Sequence, residues 1–343
     1  MRKLLNVFYV TTPDVYLSLD GENVVAMRDR EELKRLPLHN LEGIVTFGYT
    51  GASPALMGAC AERNVSLSFF TASGRFLAEV SGMEKGNVVL RRTQYRMADD
   101  LIASSSISKN IITAKLFNSR YVLERATRDH DMRIDVERVK TASRFIADAI
   151  GPLRQADNLE SIRGIEGEAA TRYFSVFNEL ILQNKEDFFF KTRNRRPPLD
   201  NVNSMLSFTY SLLANDIASA IRSVGLDPFV GFLHRDRPGR KSLALDLMEE
   251  FRSVIADRFV LSLINKRQID SKGFQAKENG TILLKDDTRR VIIGAWQNRK
   301  QEELTHPFLQ EKVEWGLVPY VQALLFARFI RGDLEEYPPF FWK

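Results

Sequence analysis

The pattern of apolar residues changes character near Gly86, and this restricts the fold more than any single motif. Before that point, short β-branched and aromatic runs alternate with turn residues, at 5–11, 15–19, 24–27, 41–47, 65–70 and 75–80. Asp20-Gly21-Glu22-Asn23 and Thr71-Ala72-Ser73-Gly74 each separate two such runs, a hairpin signal. Residues 55–63 carry a short helical pattern. After Gly86 the apolar residues fall at helical spacing over 97–126, 134–150, 159–182, 201–224, 242–265 and 313–330. Ser104-Ser105-Ser106 reads as a helix start and Gly151-Pro152 as a helix end. Residues 272–293, around Lys277-Glu278-Asn279-Gly280, read as a small hairpin or a mobile insert. The expectation is an α+β chain. A small β-rich N-terminal domain, 1–90, precedes a larger, mostly α-helical C-terminal catalytic domain, 91–343.

An apolar content of 44% with 27% charged residues excludes a disordered chain. The single cysteine, Cys60, excludes an internal disulfide framework and a multi-cysteine zinc site. Its apolar neighbours predict a buried thiol in a reducing compartment. The run at 4–10 is short and broken by Asn6, and the run at 317–330 is interrupted by Gln322 and Arg328. Neither suits a bilayer. A soluble, cytoplasmic protein with no membrane partner is expected.

The net charge of +5 is concentrated. Residues 1–90 hold nine basic and ten acidic side chains; residues 191–241 hold nine basic and four acidic. That second window contains Lys191, Arg193, Arg195, Arg196, Arg235, Arg237, Arg240 and Lys241. Arginine forks bond phosphate oxygens bidentately, so the window is a candidate DNA-binding surface. A solvated basic loop is the alternative.

Of the four histidines, His39, His130 and His306 have bland surroundings, a turn, a charged helix end and a residue before proline. His234 differs. It follows Phe229-Val230-Gly231-Phe232-Leu233 and opens the basic run Arg235-Asp236-Arg237-Pro238-Gly239-Arg240-Lys241. Asp246 and Glu249 lie a little further on, at i and i+3 of a helix, where they face one side and could grip one cation. The alternative is that acidic residues simply favour the first turns of a helix. A third acid, Glu166, sits between Gly164 and Gly167 inside a helix. Each glycine costs about 1 kcal/mol there relative to alanine. Either a bound group approaches that backbone closely or a neighbouring helix does. One imidazole with two or three carboxylates beside an arginine-rich surface suits Mg²⁺ or Mn²⁺ acting on a phosphodiester. A di-metal carboxylate bundle would need Glu-x-x-His, and Gly231 stands three residues before His234. There is no P-loop, no dinucleotide fingerprint and no serine nucleophile elbow.

Four segments together resemble a known family. Ile165-Glu166-Gly167-Glu168-Ala169-Ala170-Thr171-Arg172-Tyr173-Phe174 is similar to the signature helix of the CRISPR-associated adaptation integrases, the Cas-one endonucleases. Pro228 to His234 and Ser242 to Glu249 resemble that family's histidine loop and acidic helix, and Asn203 to Leu213 the helix before them. The resemblance runs over the whole chain. It implies catalytic and metal-binding roles for Glu166, His234 and Glu249, with Asp246 at a nearby auxiliary metal position. Many members carry Asp where this chain has Glu249. The resemblance also implies a homodimer formed through the β domains, bridged by the small Cas-two subunit. The loop 233–240 looks most like the I-C subtype, in which a Cas-four nuclease joins the complex. The activity implied is insertion of short foreign DNA into a CRISPR array, the 3′-hydroxyl of the incoming DNA attacking a phosphodiester. The competing class is a non-catalytic DNA-binding scaffold of the same adaptation complex.

Overall fold

A computed structural model describes residues 6–48, 51–63, 65–71, 76–80, 87–194 and 197–342. The chain divides into two units. One comprises Met1–Lys85, Leu284–Glu303 and Glu314–Leu317; the other comprises Gly86–Leu283, Leu304–Val313 and Val318–Lys343.

The first unit holds two four-stranded sheets. Strands β1 (Val7–Val10), β2 (Tyr16–Asp20), β3 (Asn23–Arg28), β4 (Glu31–Pro37), β5 (Gly43–Phe47) and β6 (Gly51–Ala52) precede helix α1 (Pro54–Arg63). Strands β7 (Ser66–Phe70) and β8 (Phe76–Val80) follow it. One sheet has the order β1-β5-β7-β8 and the other β4-β3-β2-β6. The expected β2–β3 and β7–β8 hairpins form. The turn of the second lies mostly outside the described residues. Strands β5 and β7 pair in parallel with α1 as the crossover between them, a βαβ unit that the spacing did not announce. Strand β4 was also not expected; its first five residues are exposed and mostly polar, so no apolar alternation marks it. Leu17, Val24, Leu38, Ile44, Leu56, Cys60 and Leu67 share one core. Cys60 is fully buried, and burial pushes its thiol up to about 11.

The second unit is helical, as the periodicity predicts. It contains α2 (Val88–Asp99), α3 (Leu101–Asp129), α4 (Val136–Asp148), α5 (Ile150–Gln155), α6 (Leu159–Ser175) and α7 (Asn201–Ser223). Then come α8 (Ser242–Met248), a π-helical segment (Arg252–Asp257) and α9 (Arg258–Asn265). The 29-residue α3 is the spine, packed against α4, α6 and the π segment. Ile107, Ile111, Ile112, Leu116 and Leu123 on it are all but inaccessible.

Several boundaries differ from expectation for local reasons. Asp100 caps α3, accepting from the Ile102 and Ala103 amides at 2.8 and 3.2 Å, so Ser104 lies inside the helix rather than at its start. Gly151-Pro152 opens α5 instead of closing α4, because proline is tolerated in a first helical turn. The expected single helix over 242–265 is interrupted by the π segment, a widening that apolar periodicity cannot reveal. The 272–293 region does form a hairpin, β9 (Phe274–Ala276) with β10 (Ile282–Leu284), followed by helix α10 (Asp286–Gln301). Helix α10 belongs to the first unit, so the division is not a single cut near residue 90. Helix α11 (Val318–Ile330) returns to the second unit. Among the described residues, no helix is long and apolar enough to cross a membrane.

Candidate active site

The loop bearing His234 is held from beneath by one side chain. Asp246, fully buried on α8, accepts from the amides of Phe232 (2.6 Å) and Leu233 (3.1 Å) through Oδ2. Its Oδ1 accepts from the His234 amide at 3.0 Å and lies 2.5 Å from His234 Nδ1. A carboxylate can only accept, so Nδ1 carries the proton and Nε2 is the nitrogen left for other work. The loop can lie this close because residue 231 is glycine: a Cβ there would stand 2.7 Å from Asp246 Oδ2 and 2.8 Å from Ser242. Helix α2 fixes the approach to the loop. Buried Gln94 donates to the carbonyls of Asp227 and Val230 at 2.8 and 2.9 Å and accepts from the Asp227 amide at 2.9 Å.

Glu166 on α6 and Glu249 just after α8 meet at one cation, the Lys115 ammonium of α3. Lys115 Nζ pairs with Glu166 Oε1 and lies 2.6 Å from Glu249 Oε2. Arg252 closes the far side, its guanidinium 2.6 Å from Glu249 Oε1. The Glu249 side chain is 4% exposed and that of Glu166 is 25% exposed, so Glu166 is the one that faces outward. Burial alone would raise the Glu249 pKa. Arg252, Lys115 and His234 outweigh it and hold the carboxyl down at about 2. Arg252 stays protonated against its own burial through the same pair. Arg163, one turn before Glu166, donates through Nε (2.9 Å) and Nη2 to the Leu233 carbonyl, tying α6 to the histidine loop.

A second layer fixes Arg252. Its guanidinium carbon lies 5.1 Å from the Tyr210 ring centroid, and that of Arg193 lies at the same distance. The Tyr210 hydroxyl donates to Asp257 Oδ1 at 2.5 Å. Asp257 is buried, and desolvation raises its carboxyl to about 6 despite the hydrogen bond from Tyr210 and the charge of Arg252.

The expected site residues therefore fare differently. Glu166 and Glu249 come together at Lys115, and His234 acts electrostatically on Glu249. Asp246 and Glu249 do not grip one cation as their spacing allows: both Asp246 oxygens are taken up by the histidine loop. Among the described residues, no three His, Cys, Asp or Glu side chains form a ready-made metal cage. Among the described residues, a Cβ on Gly164 or Gly167 would meet nothing within 4 Å, so neither glycine is there to admit a closely packed helix. Arg193 is half-buried, and its guanidinium is engaged within the chain. It donates to the Asn194 carbonyl and Asn203 Oδ1, both at 2.6 Å, and to Ser207 Oγ at 3.1 Å. Arg195 and Arg196 lie outside the described residues. Arg235 is exposed and pairs with Glu160 at 2.6 Å; Arg237 is exposed, and Arg240 and Lys241 are half-buried. The sequence reading missed Lys115, Arg252 and Arg163. Lys115, a lone cation within Ile111-Ile112-Thr113-Ala114-Lys115-Leu116, was the available signal, as was the i,i+3 spacing of Glu249 and Arg252.

The family model for CRISPR associated protein Cas1 matches residues 8–298. The chain belongs to the Cas1 family. A "CRISPR-associated endonuclease Cas1 1" of Chlorobaculum tepidum is 52% identical over 343 residues, covering all of both chains. Among solved structures, a casposase bound to integration product superposes with a TM-score of 0.84 at 26% identity, covering 98% of this chain and 94% of that one. A chain of a Cas6-RT-Cas1–Cas2 complex superposes at 0.85 with 21% identity, covering all of this chain and 36% of that one, a likeness of fold. The β-rich first unit and mostly helical second unit match the fold of a CAS1 protein from Thermotoga maritima, which superposes at 0.82 with 23% identity, covering 98% of this chain and all of that one.

Proposed function

We propose that this Cas1 chain is a metal-dependent DNA endonuclease and integrase that inserts short foreign DNA into a CRISPR array in the cytoplasm. The observation that carries this reading is the meeting of Glu166 and Glu249 at a single cation, beside a histidine whose free Nε2 is set by Asp246. The donor set is two carboxylates and one imidazole, which fits Mg²⁺ or Mn²⁺. The Lys115 ammonium is a stand-in for the charge such an ion would bring, and Glu249 is ionised at any working pH. Glu166, Glu249 and His234 Nε2 would hold the ion. When bound, it would supply Lewis-acid polarisation of the phosphodiester and a more acidic 3′-hydroxyl or water.

The protein's own groups perform the rest. Asp246 keeps His234 in one tautomer and one orientation. Arg252, stacked on Tyr210 and paired with Glu249, would keep that carboxylate in place without reorganisation. Arg163 holds α6 and the histidine loop at fixed separation, which sets the reach between Glu166 and His234. Arg235, Arg237, Arg240 and Lys241 would contact phosphates and so position DNA without reading its sequence. The chain would work as a homodimer with the small Cas-two subunit, joined by a Cas-four nuclease as the I-C likeness of its loop implies.

A non-catalytic DNA-binding scaffold is the second reading. The neutralisation of Glu166 and Glu249 by Lys115 is the observation in its favour. Strand transfer on a branched DNA with Mn²⁺ or Mg²⁺ separates the two. The enzyme joins strands with metal and stops with chelator. A scaffold binds the same DNA and leaves it intact in both.

A further inference from the structure

The segment Tyr337 to Trp342 is docked on the residue next to Glu249. Glu250, fully buried, accepts from the Tyr337 hydroxyl at 2.7 Å through Oε1. Its Oε2 accepts from the Phe340 amide at 2.8 Å and from Gln322 at 3.2 Å. Gln322 also donates to the Tyr337 oxygen at 2.8 Å, and its own oxygen faces buried His306 at 3.1 Å.

A second residue joins the same segment to α3. The Asn118 amide donates to the carbonyls of Glu250 and Phe340, both at 2.7 Å, and accepts from the Trp342 amide at 2.8 Å. Asn118 is fully buried and lies three residues after Lys115, on the same face of α3. One short segment therefore fastens the helix carrying Lys115 to the turn carrying Glu249. Rings complete the attachment: Phe340 packs on Phe251 at 5.5 Å, Phe341 on Phe117 at 5.3 Å and Trp342 on Tyr121 at 5.0 Å. The Arg258 guanidinium lies 4.1 Å from the Trp342 ring centroid.

We infer that residues 337–342 are a positioning strap for the active site. They hold Glu249 in register with Lys115 through Glu250 and Asn118, without touching DNA or the reacting atoms. A full hydrogen-bond complement around buried Asn118 and Glu250 specifies one arrangement of the turn between α8 and the π segment. Loosening it would let the Glu249 carboxylate move by the order of an ångström, enough to cost catalysis while leaving the DNA surface unchanged. This rests on the function proposed above.

The test uses the full chain in one mild variant and one severe one. Tyr337→Phe removes one hydrogen bond to Glu250. Asn118→Asp is isosteric, keeps the acceptor for the Trp342 amide and loses both donations. Three quantities are measured: hydrogen exchange of peptides spanning 246–252, Mn²⁺ affinity by titration calorimetry, and kcat and KM for strand transfer. Exchange at the Glu249 and Phe251 amides should rise at least tenfold. Mn²⁺ affinity and kcat should each fall about tenfold, with KM for DNA within threefold of the parent. Unchanged exchange in both variants overturns the strap. So does faster exchange with kcat and Mn²⁺ affinity intact, or an equal loss in KM and kcat that tracks a lowered melting temperature. If the parent chain neither binds Mn²⁺ nor joins strands, the proposed function fails. Exchange at 246–252 then still decides whether the segment fixes this turn.

Discussion

His234 Nδ1 and Asp246 Oδ1 are 2.5 Å apart, and the same Asp246 carboxylate caps three successive backbone amides of the loop on which His234 stands. The two carboxylates that sequence spacing offered as one cation grip thus divide the work: Asp246 orients, and Glu249 faces charge.

That division predicts unequal losses. Glu249→Ala should eliminate metal-dependent strand transfer. Asp246→Asn keeps the shape but loses the charge, and should lower the rate about 10–100-fold, the usual cost of losing a group that orients a ligand. Rates against Mn²⁺ concentration for both variants check it. Near-normal activity in Glu249→Ala would reverse the assignment.

Lys115 neutralises Glu166 and buried Glu249. Lys115→Met should destabilise the metal-free protein by about 3 kcal/mol, because it leaves buried charge with fewer partners. Mn²⁺ should return part of that loss by replacing the missing positive charge. Urea melts with and without Mn²⁺ measure both effects; equal stability of variant and parent without metal would refute the pairing.

Arg193→Ala should lower stability and leave the salt dependence of DNA binding unchanged, since its guanidinium is bonded to Asn194, Asn203 and Ser207. Arg235→Ala with Arg237→Ala should flatten the log–log salt slope by about 0.9 for each phosphate that the variant no longer neutralises. Binding isotherms across a salt series discriminate the two kinds of arginine.

Asp257 supplies a pH signature. Its carboxyl titrates near 3.8 in the unfolded chain and about 6 in the folded one, so the folded state holds the extra proton between these values. Stability gained from that proton is complete below about pH 4 and is lost as pH rises through about 6. Asp257→Asn should lack this decline. Melting temperatures of parent and variant, compared at pH 4 and pH 7, should differ more in the parent's disfavour at pH 7. A difference independent of pH would show that Asp257 is ionised throughout.

Much of this was legible in the sequence. Strands β1 to β3 and helices α6 and α7 follow directly from period-2 and period-3.6 patterning, and the order of Glu166, His234 and Glu249 carried the family likeness. What escaped was long-range. The exposed residues of β4 give no alternation, and the π segment has no periodicity of its own. Lys115 is 51 residues from Glu166, and nothing local marks the two as partners. Arg193 looked like a phosphate ligand because its neighbours are basic, yet a turn of chain brings Asn203 and Ser207 to it.

Glu166, Glu249 and His234 are proposed to share one divalent ion. An anomalous-scattering map of crystals of the full chain grown with Mn²⁺ tests it most directly. One peak is expected about 2.0–2.3 Å from a Glu166 oxygen, a Glu249 oxygen and His234 Nε2, with the Asp246–His234 bond kept. A map at saturating Mn²⁺ with no peak there, and with Lys115 still bridging Glu166 and Glu249, would contradict it.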